Sequence, residues 1–185
     1  MTVIRALDPA TVEGRSADFV GLLIDAVEGG ASIGFLAPLP ESEAVAYWRS
    51  VVLAMGGGRR HLLAAFDGER LIGTVQLDLE PRANGRHRAE VMKLMVLRRD
   101  RRRGVARALL AALLDLARDQ ARTLLLLDVR AGDPVEALYR AVGQKLRRGA
   151  APCAKPGRQL RGDLVLLSRA VSRRGRCLPP NPRIG

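Results

Sequence analysis

The segment 98–119 places the tightest constraint on what this chain can fold into. It holds five arginines in the six residues before Gly104, and a sixth, Arg107, follows three residues later. Apolar residues then recur at helical spacing, which predicts an amphipathic helix from Gly104 to about Asp119. Positive charges oppose the dipole at the start of a helix, so helix propensity does not explain them. We expect a negatively charged group to bind there.

Arginine is abundant along the whole chain, and this offers a plainer explanation of the charge. The sequence has 31 Lys and Arg against 19 Asp and Glu, a formal net charge of +12, and lysine occurs only at Lys93, Lys145 and Lys155. Such a bias is typical of GC-rich codon usage. The charge gives an affinity for polyanions whatever its origin, so net charge alone assigns no function.

A length of 185 residues and an apolar content of 48% suit one domain with a tail. We expect a domain over 1–171 and a disordered basic tail over 172–185. No apolar run approaches the roughly 20 residues that cross a bilayer. The N-terminus lacks the pattern of a secretory signal, so we expect a cytoplasmic protein without membrane contact.

Metal binding is not expected from the sequence. Cys153 and Cys177 are isolated thiols without CxxC spacing. The chain has only two histidines, His61 and His87, and we expect both at the surface.

The hydrophobic pattern predicts the order β-α-α-β-β-β-α-β-α, with Asp67-Gly68 as the turn of a hairpin. A helix between two apolar strands makes a parallel crossover. The predicted strands cover 2–7, 61–66, 70–79, 87–97 and 123–129, with a last strand within 162–171. The predicted helices cover 9–27, 41–56, 104–119 and 133–143.

A strand that runs into a glycine-containing turn and then a helix leaves backbone N–H groups unpaired and convergent. Here the turn reads Arg101-x-x-Gly104-Val105-Ala106, and the small Gly104 and Ala106 let a phosphate approach the backbone. Neither GxxxxGK[ST] nor GxGxxG is present. The pattern therefore predicts an anion-binding turn of another kind.

The stretch "LMVLRRDRRRGVARALLAALLDLA" resembles the acetyl-CoA-binding motif of the GNAT N-acetyltransferase superfamily, whose signature is [QR]-x-x-G-x-[GA]. Blocks over 28–39, 84–97 and 124–143 resemble the tabtoxin-resistance type of acetyltransferase in the same order, so the likeness covers residues 3–143. It implies the α/β GNAT fold. This fold has a central mixed, mostly antiparallel sheet that is flanked by helices and splayed between strands 4 and 5.

The resemblance also implies acetyl-CoA as the cosubstrate. Its pyrophosphate would lie against the arginine-rich turn, and its pantetheine arm would pair like an added strand with the fourth strand. The implied acetyl-CoA-binding residues are Leu94, Met95, Val96, Arg101, Arg102, Arg103, Gly104, Val105, Ala106 and Arg107.

Glu90 and Asp128 are carboxylates in mostly apolar strands, and burial there would raise their pKa and make them better bases. The resemblance makes them the favoured catalytic pair and gives Tyr139 the role of protonating the coenzyme A thiolate. Two structural alternatives stay open. Glu90 could pair with Arg88 or Lys93, and Tyr139 could belong to the core.

The acceptor pocket is expected to involve Gln76, by resemblance, together with Ser32, Phe35 and Trp48 from the first helix-loop-helix. Trp48 has helical spacing with core positions, which also suits packing. Segment 144–171 has no aromatic residue, whereas family members usually carry several there. The wall that faces the substrate is therefore expected to differ.

The implied function is acetyl transfer to the primary amine of a small molecule, such as a toxin or antibiotic-like amino compound, by a monomer or homodimer. One alternative is protein or peptide N-terminal acetylation, which the same fold supports. Another is a non-catalytic module that binds nucleic acid through its basic surface. An aromatic content of 3% and the lack of a reader motif argue against nucleic-acid binding.

Overall fold

The computed structural model of the chain describes residues 1–31, 33–130, 138, 146–148 and 165–171. The strands are β1 (Thr2–Leu7), β2 (Arg60–Asp67), β3 (Arg70–Leu79), β4 (Arg88–Val96), β5 (Leu124–Arg130), β6 (Leu146–Arg148) and β7 (Val165–Val171). The helices are α1 (Pro9–Gly14), α2 (Ser16–Glu28), α3 (Glu41–Gly56) and α4 (Val105–Asp119). The predicted helix over 133–143 and the predicted tail lie outside the described residues, apart from the helical Leu138.

The strands form one mixed sheet in the order β1-β2-β3-β4-β5-β7-β6. Strands β1 to β4 pair antiparallel, and Gly68 turns the β2–β3 hairpin at φ +61°. Strands β4 and β5 are parallel, because α4 carries the chain back across the sheet between them. These observations confirm the predicted hairpin, crossover and fold class.

Strands β4 and β5 share only a short ladder. Their register runs from Arg88↔Leu124 to Val91↔Leu127, whereas β4 continues to Val96. Beyond Val91, no described strand pairs with this edge of β4. The expected splay between strands 4 and 5 is therefore present, and it leaves an unpaired edge beside the turn into α4.

A β-bulge interrupts β4 just before that edge. Thr74 pairs with Met95 but Gln76 pairs with Met92, so Lys93 and Leu94 lie opposite Val75 alone. Lys93 has φ +51°, which is uncommon for a residue with a side chain. The extra residue reverses the alternation of β4, so that Ala89 and Val91 pack toward α4 and Met95 packs toward α1–α3.

The sheet has an apolar core on each face. The core beneath α4 includes Leu109, Leu110 and Leu113, all with side chains at 0% exposure. The core beneath α1–α3 includes Phe19 and Trp48, whose ring centroids lie 4.8 Å apart. Burial of these side chains on both faces fixes the position of the arginine-rich turn at one end of the sheet.

The first predicted helix, over 9–27, is two helices. Residue Gly14 has low helix propensity, and Arg15 leaves the helical region at φ −111° and ψ 23°. The Arg15 guanidinium then bonds the Asp18 carboxylate at 2.8 Å and the Glu69 carbonyl at 2.6 Å. These contacts hold the corner between α1 and α2.

Candidate active site

The turn from β4 into α4 has an open, anion-accepting geometry. Gly104 is the N-cap of α4 at φ +81°, where a residue with a side chain is strained. As in any helix, the first N–H groups of α4 have no partner within the helix, and Gly104 has no side chain that could cap them. A Cβ built at Gly104 would meet nothing within 4 Å. The space outside the turn is therefore accessible to a ligand.

The arginines around this turn fall into two groups. In the first, carboxylates hold the side chains: Arg98 bonds Asp25 at 2.8 Å, and Arg103 bonds Asp100 at 2.5 Å. The second group consists of Arg101, Arg102 and Arg107, which are exposed and form no ion pair with any described residue. Within this group, Arg101 Nε donates to the Val96 carbonyl at 3.3 Å. This second group can supply charge to an anion outside the turn.

The residues expected to contact pantetheine lie on the unpaired part of β4. Met95 and Val96 pair with Thr74 and Gly73 of β3, and their other edge faces the splay. Gly73 is needed for this close pairing, because a Cβ there would lie 2.8 Å from the Met95 carbonyl oxygen. Such an edge offers backbone N–H and C=O groups to an extended ligand that carries amides.

The two predicted catalytic carboxylates lie on neighbouring strands. Glu90 is half-buried and stands in register with Asp78 of β3 and Leu126 of β5. The backbone of Asp128 comes directly after Leu127, where the pairing of β4 with β5 ends. Both positions are therefore close to the start of the splay. Tyr139 lies outside the described residues.

The expected acceptor side contains a buried hydrogen-bonded pair. Gln76 is 0% exposed, and its Nε2 donates to the Tyr47 hydroxyl at 2.9 Å. The hydroxyl lies 3.1 Å from Gln76 Oε1 and donates to it. Burial raises the pKa of Tyr47 to about 12, so this phenol stays protonated in the physiological range.

A cation and two aromatic rings lie beside this pair. The ring of Phe35 meets that of Tyr47 edge-on, with centroids 5.3 Å apart. Lys93 Nζ lies 5.1 Å from the Phe35 ring centroid and 5.5 Å from that of Tyr47, and it donates to the Ile33 carbonyl. Lys93 thus links the bulge of β4 to the loop that carries Phe35.

The comparison with protein families matches residues 35–143 to the acetyltransferase (GNAT) family. The chain belongs to the GNAT acetyltransferase family. It is accordingly an enzyme that transfers an acetyl group. The match covers the turn, β4, Glu90 and the backbone position of Asp128.

Solved structures resemble this GNAT chain in fold. A ribosomal-protein-alanine N-acetyltransferase from Brucella melitensis has 24% identity and a TM-score of 0.60, over 76% of this chain and 83% of the other. An N-acetyltransferase from Staphylococcus aureus Mu50 has 15% identity and a TM-score of 0.61, over 78% and 84%. A predicted acetyltransferase with acetyl-CoA from Clostridium acetobutylicum has 15% identity and a TM-score of 0.55, over 78% and 90%.

Several predicted site residues of this GNAT enzyme come together. Gly104, Val105 and Ala106 form the open turn, and Leu94–Val96 lead into it. Phe35 and Gln76, which are predicted to shape the acceptor pocket, meet through Tyr47, a residue that the sequence analysis missed. Trp48 is 2% exposed and packs in the core. Ser32 lies outside the described residues.

Two further findings concern the described part of the chain alone. No group of His, Cys, Asp and Glu there could hold a metal ion. None of the helices described is both long and apolar enough to span a membrane.

Proposed function

We propose that this GNAT enzyme transfers the acetyl group of acetyl-CoA to the primary amine of a small molecule. The observation that carries the proposal is the adjacency of two features that suit the two halves of the cosubstrate. The uncapped turn at Gly104 suits a pyrophosphate, and the edge of β4 beyond Val91 suits pantetheine.

The proposed contacts with acetyl-CoA follow from these features. The N–H groups around Gly104 donate to the pyrophosphate, and the exposed guanidinium groups of Arg101, Arg102 and Arg107 add charge. The backbone of Leu94, Met95 and Val96 bonds the pantetheine amides. Acetyl-CoA supplies an activated thioester, and the protein holds it in the splay.

The proposed chemistry is direct attack. The neutral amine nitrogen attacks the thioester carbonyl carbon, and the C–S bond breaks as the amide forms. Glu90 and Asp128 take the amine proton, directly or through water, and pass it to solvent. Tyr139 donates its phenol proton to the departing thiolate and recovers a proton from water.

The proposed acceptor pocket is bordered by Phe35 and Tyr47, and Lys93 holds the loop that carries Phe35. Gln76 is fully buried, so it acts from behind the pocket by holding the Tyr47 hydroxyl. A pocket lined by aromatic rings suits a compact amine. We place a toxin or antibiotic-like amino compound, as acted on by the tabtoxin-resistance type, first among the acceptors. We also propose that the enzyme works in the cytoplasm as a monomer or homodimer.

Two acceptor classes have to be compared because the fold accommodates both. Similar structures include the ribosomal-protein-alanine N-acetyltransferase and a glucosamine-6-phosphate N-acetyltransferase from Arabidopsis thaliana, which has 13% identity and a TM-score of 0.56. A likeness at this level does not choose between protein and small-molecule amines.

A screen of acceptors tests the proposal. The purified protein is titrated with acetyl-CoA in a calorimeter, and thiol release is then followed with free amines, an N-terminal peptide panel and duplex DNA. We expect acetyl-CoA to bind and a small amine to give the fastest thiol release. Faster turnover with peptides would move the assignment to protein acetylation. Absence of acetyl-CoA binding at low salt, with DNA bound instead, would overturn the proposal.

A further inference from the structure

A buried carboxylate lies beneath the turn that we propose to bind acetyl-CoA. Asp100 ends the 3-10 turn Arg98–Asp100, and its side chain is only 2% exposed. Among the residues whose side-chain burial the structure describes, it is the one buried acidic side chain. A negative charge directly under an anion-binding turn repels the anion, so its position needs an explanation.

Two arginines satisfy both oxygens of this carboxylate. Arg70 Nη1 lies 2.7 Å from Asp100 Oδ2, and Arg70 Nη2 lies 3.1 Å from Oδ1. Arg103 Nη1 donates to Oδ1 at 2.5 Å. The hydrogen bonds from Arg70, opposed by burial and reinforced by Arg103, lower the pKa of Asp100, so the carboxylate is ionised at neutral pH.

The same contacts bind the turn to the β2–β3 hairpin. Arg103 Nη2 reaches Asp67 Oδ2 at 3.3 Å, and Arg70 lies 3.6 Å from the same oxygen. Asp67 ends β2 and Arg70 begins β3. We call Asp67, Arg70, Asp100 and Arg103 the Asp100 network. It joins the turn to an antiparallel hairpin that the core holds in place.

The network also determines which arginine side chains around the turn can contact a ligand. Arg103 donates through Nη1 and Nη2 to two carboxylates that fix its position, whereas Arg102 and Arg107 have no ion pair among the described residues. Arg102 itself has φ +63°, a conformation that the surrounding turn has to enforce. A fixed Arg103 on the next residue supplies such a restraint.

We propose that Asp100 is a positioning residue for acetyl-CoA binding, which it serves by holding Arg103 and the turn against the β2–β3 hairpin. In this arrangement Arg103 supports the turn and does not pair with phosphate through its guanidinium. The inference rests on the proposed function, and it adds an acidic residue to a site that sequence reasoning described as wholly basic.

The direction in which one substitution changes the affinity for acetyl-CoA separates a positioning role from a simple effect of charge. Asp100→Asn keeps the side-chain shape and removes a negative charge beneath the turn. If charge alone governed the site, acetyl-CoA would bind more tightly. Positioning predicts the reverse: the dissociation constant measured by calorimetry rises by about tenfold or more, because the charge-assisted bonds that fix Arg103 are lost.

Asp78→Asn is the matched control. Asp78 is 14% exposed and pairs with Arg59 and Arg60, but it lies at the opposite end of β3 from Arg70. The control removes the same charge and a comparable pair of ionic contacts. We expect its acetyl-CoA dissociation constant to stay within about twofold of wild type.

A second pair of variants covers the case in which Asp100→Asn does not fold. Arg103→Gln should weaken acetyl-CoA binding without changing the slope of log Kd against log salt, whereas Arg102→Gln should reduce that slope. Arg103→Gln should also raise KM for acetyl-CoA and leave kcat at saturation within about twofold. A purely structural role would instead lower Tm with an unchanged Kd for the folded fraction.

The outcomes are distinct. Weaker binding by Asp100→Asn with unchanged binding by Asp78→Asn supports the inference. Equal or tighter binding by a folded Asp100→Asn, or a salt slope that falls in Arg103→Gln as much as in Arg102→Gln, overturns it. Wild-type protein that does not bind acetyl-CoA overturns the proposed function itself.

Discussion

The two ends of β4 each carry a cluster of basic side chains, and the two clusters are built differently. The turn cluster, at the end of β4, consists of Arg98, Arg99, Arg101, Arg102, Arg103 and Arg107. The start cluster, at the beginning of β4, consists of His61, Arg86, His87, Arg88 and Arg122. Both are rich in positive charge, yet only the turn cluster surrounds a positive-φ glycine at the start of a helix.

Carboxylates form ion pairs with several arginines of the turn cluster, whereas the start cluster has few such ion pairs. Asp25, Asp67 and Asp100 hold arginines of the turn, whereas the start cluster has Glu80 against Arg88 at 3.6 Å. Within the described residues, buried atoms of the start cluster lack hydrogen-bond partners: Nε2 of His61 and His87, and Nε of Arg88 and Arg122. We propose that the anion site depends on the backbone geometry at Gly104 together with fixed side chains, and not on the density of arginine alone.

The largest expected effect concerns Glu90, which lies two residues from the start cluster. If Glu90 belongs to the chemistry, Glu90→Gln and Asp128→Asn should each lower kcat by roughly 10²-fold or more and leave the acetyl-CoA dissociation constant nearly unchanged. Higher pH should partly rescue Glu90→Gln, because more acceptor amine is then already deprotonated. Steady-state kinetics over a pH series measures this.

The opposite result would assign Glu90 to the start cluster. Unfolding of Glu90→Gln, or turnover equal to wild type, would make the residue a structural ion-pair member. Circular dichroism on the same samples separates loss of fold from loss of chemistry.

The next effect concerns the turn glycine. Gly104→Val should raise the acetyl-CoA dissociation constant by about tenfold or more, because a β-branched residue is strained at φ +81° and would fill the open space outside the turn. Gly58→Val is the matched control, since Gly58 has φ +70° and equally open space but lies between α3 and β2. Equal loss of acetyl-CoA affinity in both variants would show a general effect of strain.

A smaller effect should distinguish the two clusters by charge. Arg107→Gln should weaken acetyl-CoA binding by about threefold at low salt, since one exposed guanidinium contributes a modest, screened attraction. Arg86→Gln, from the start cluster, should leave the affinity unchanged. Calorimetric titration at two salt concentrations measures the acetyl-CoA affinity of both variants. Equal losses of affinity would mean that only the overall electrostatic field of the protein governs binding.

The smallest effect is a dependence of stability on pH at the start cluster. Burial, with Arg122 nearby, lowers the pKa of His61 below the usual 6.5, and burial with Arg88 and Arg122 does the same for His87. The unfolded chain therefore binds protons first as pH falls. The contribution of the two neutral histidines to stability is complete above pH 6.5. It declines as the pH falls from 6.5 through their lowered folded-state pKa values, so Tm should fall by a few degrees from pH 7.5 to 5.5. A His61→Gln/His87→Gln double variant should lose much of this decline, and an undiminished decline would contradict the account.

Sequence reasoning succeeded where local chemistry alone determines the structure. Asp67-Gly68 specified the hairpin because the turn needs φ above zero, and the period of Leu109 and Leu113 specified the face of α4. Gly104 marked the turn for the same reason. The mixed sheet and the splay followed from the order of elements and the resemblance together.

The features that the sequence did not indicate depend on long-range contacts. Lys93 adopts a positive φ without being glycine, because the bulge is set by its pairing with β3 and by contacts to the loop of Phe35. The expectation that His61 and His87 lie at the surface was wrong: both are half-buried, and their Nε2 atoms are buried. The burial of Asp100 depends on Arg70, which is 30 residues away in sequence.

The most direct test of the central claim is an amide NMR titration of the wild-type protein with acetyl-CoA. We expect shifts of the amide signals of Leu94, Met95 and Val96 and of those from Gly104 to Arg107. The amide signals of His61, His87 and Arg122 should stay unmoved. Shifts concentrated at the start cluster, or a turn that does not respond at saturating acetyl-CoA, would contradict it.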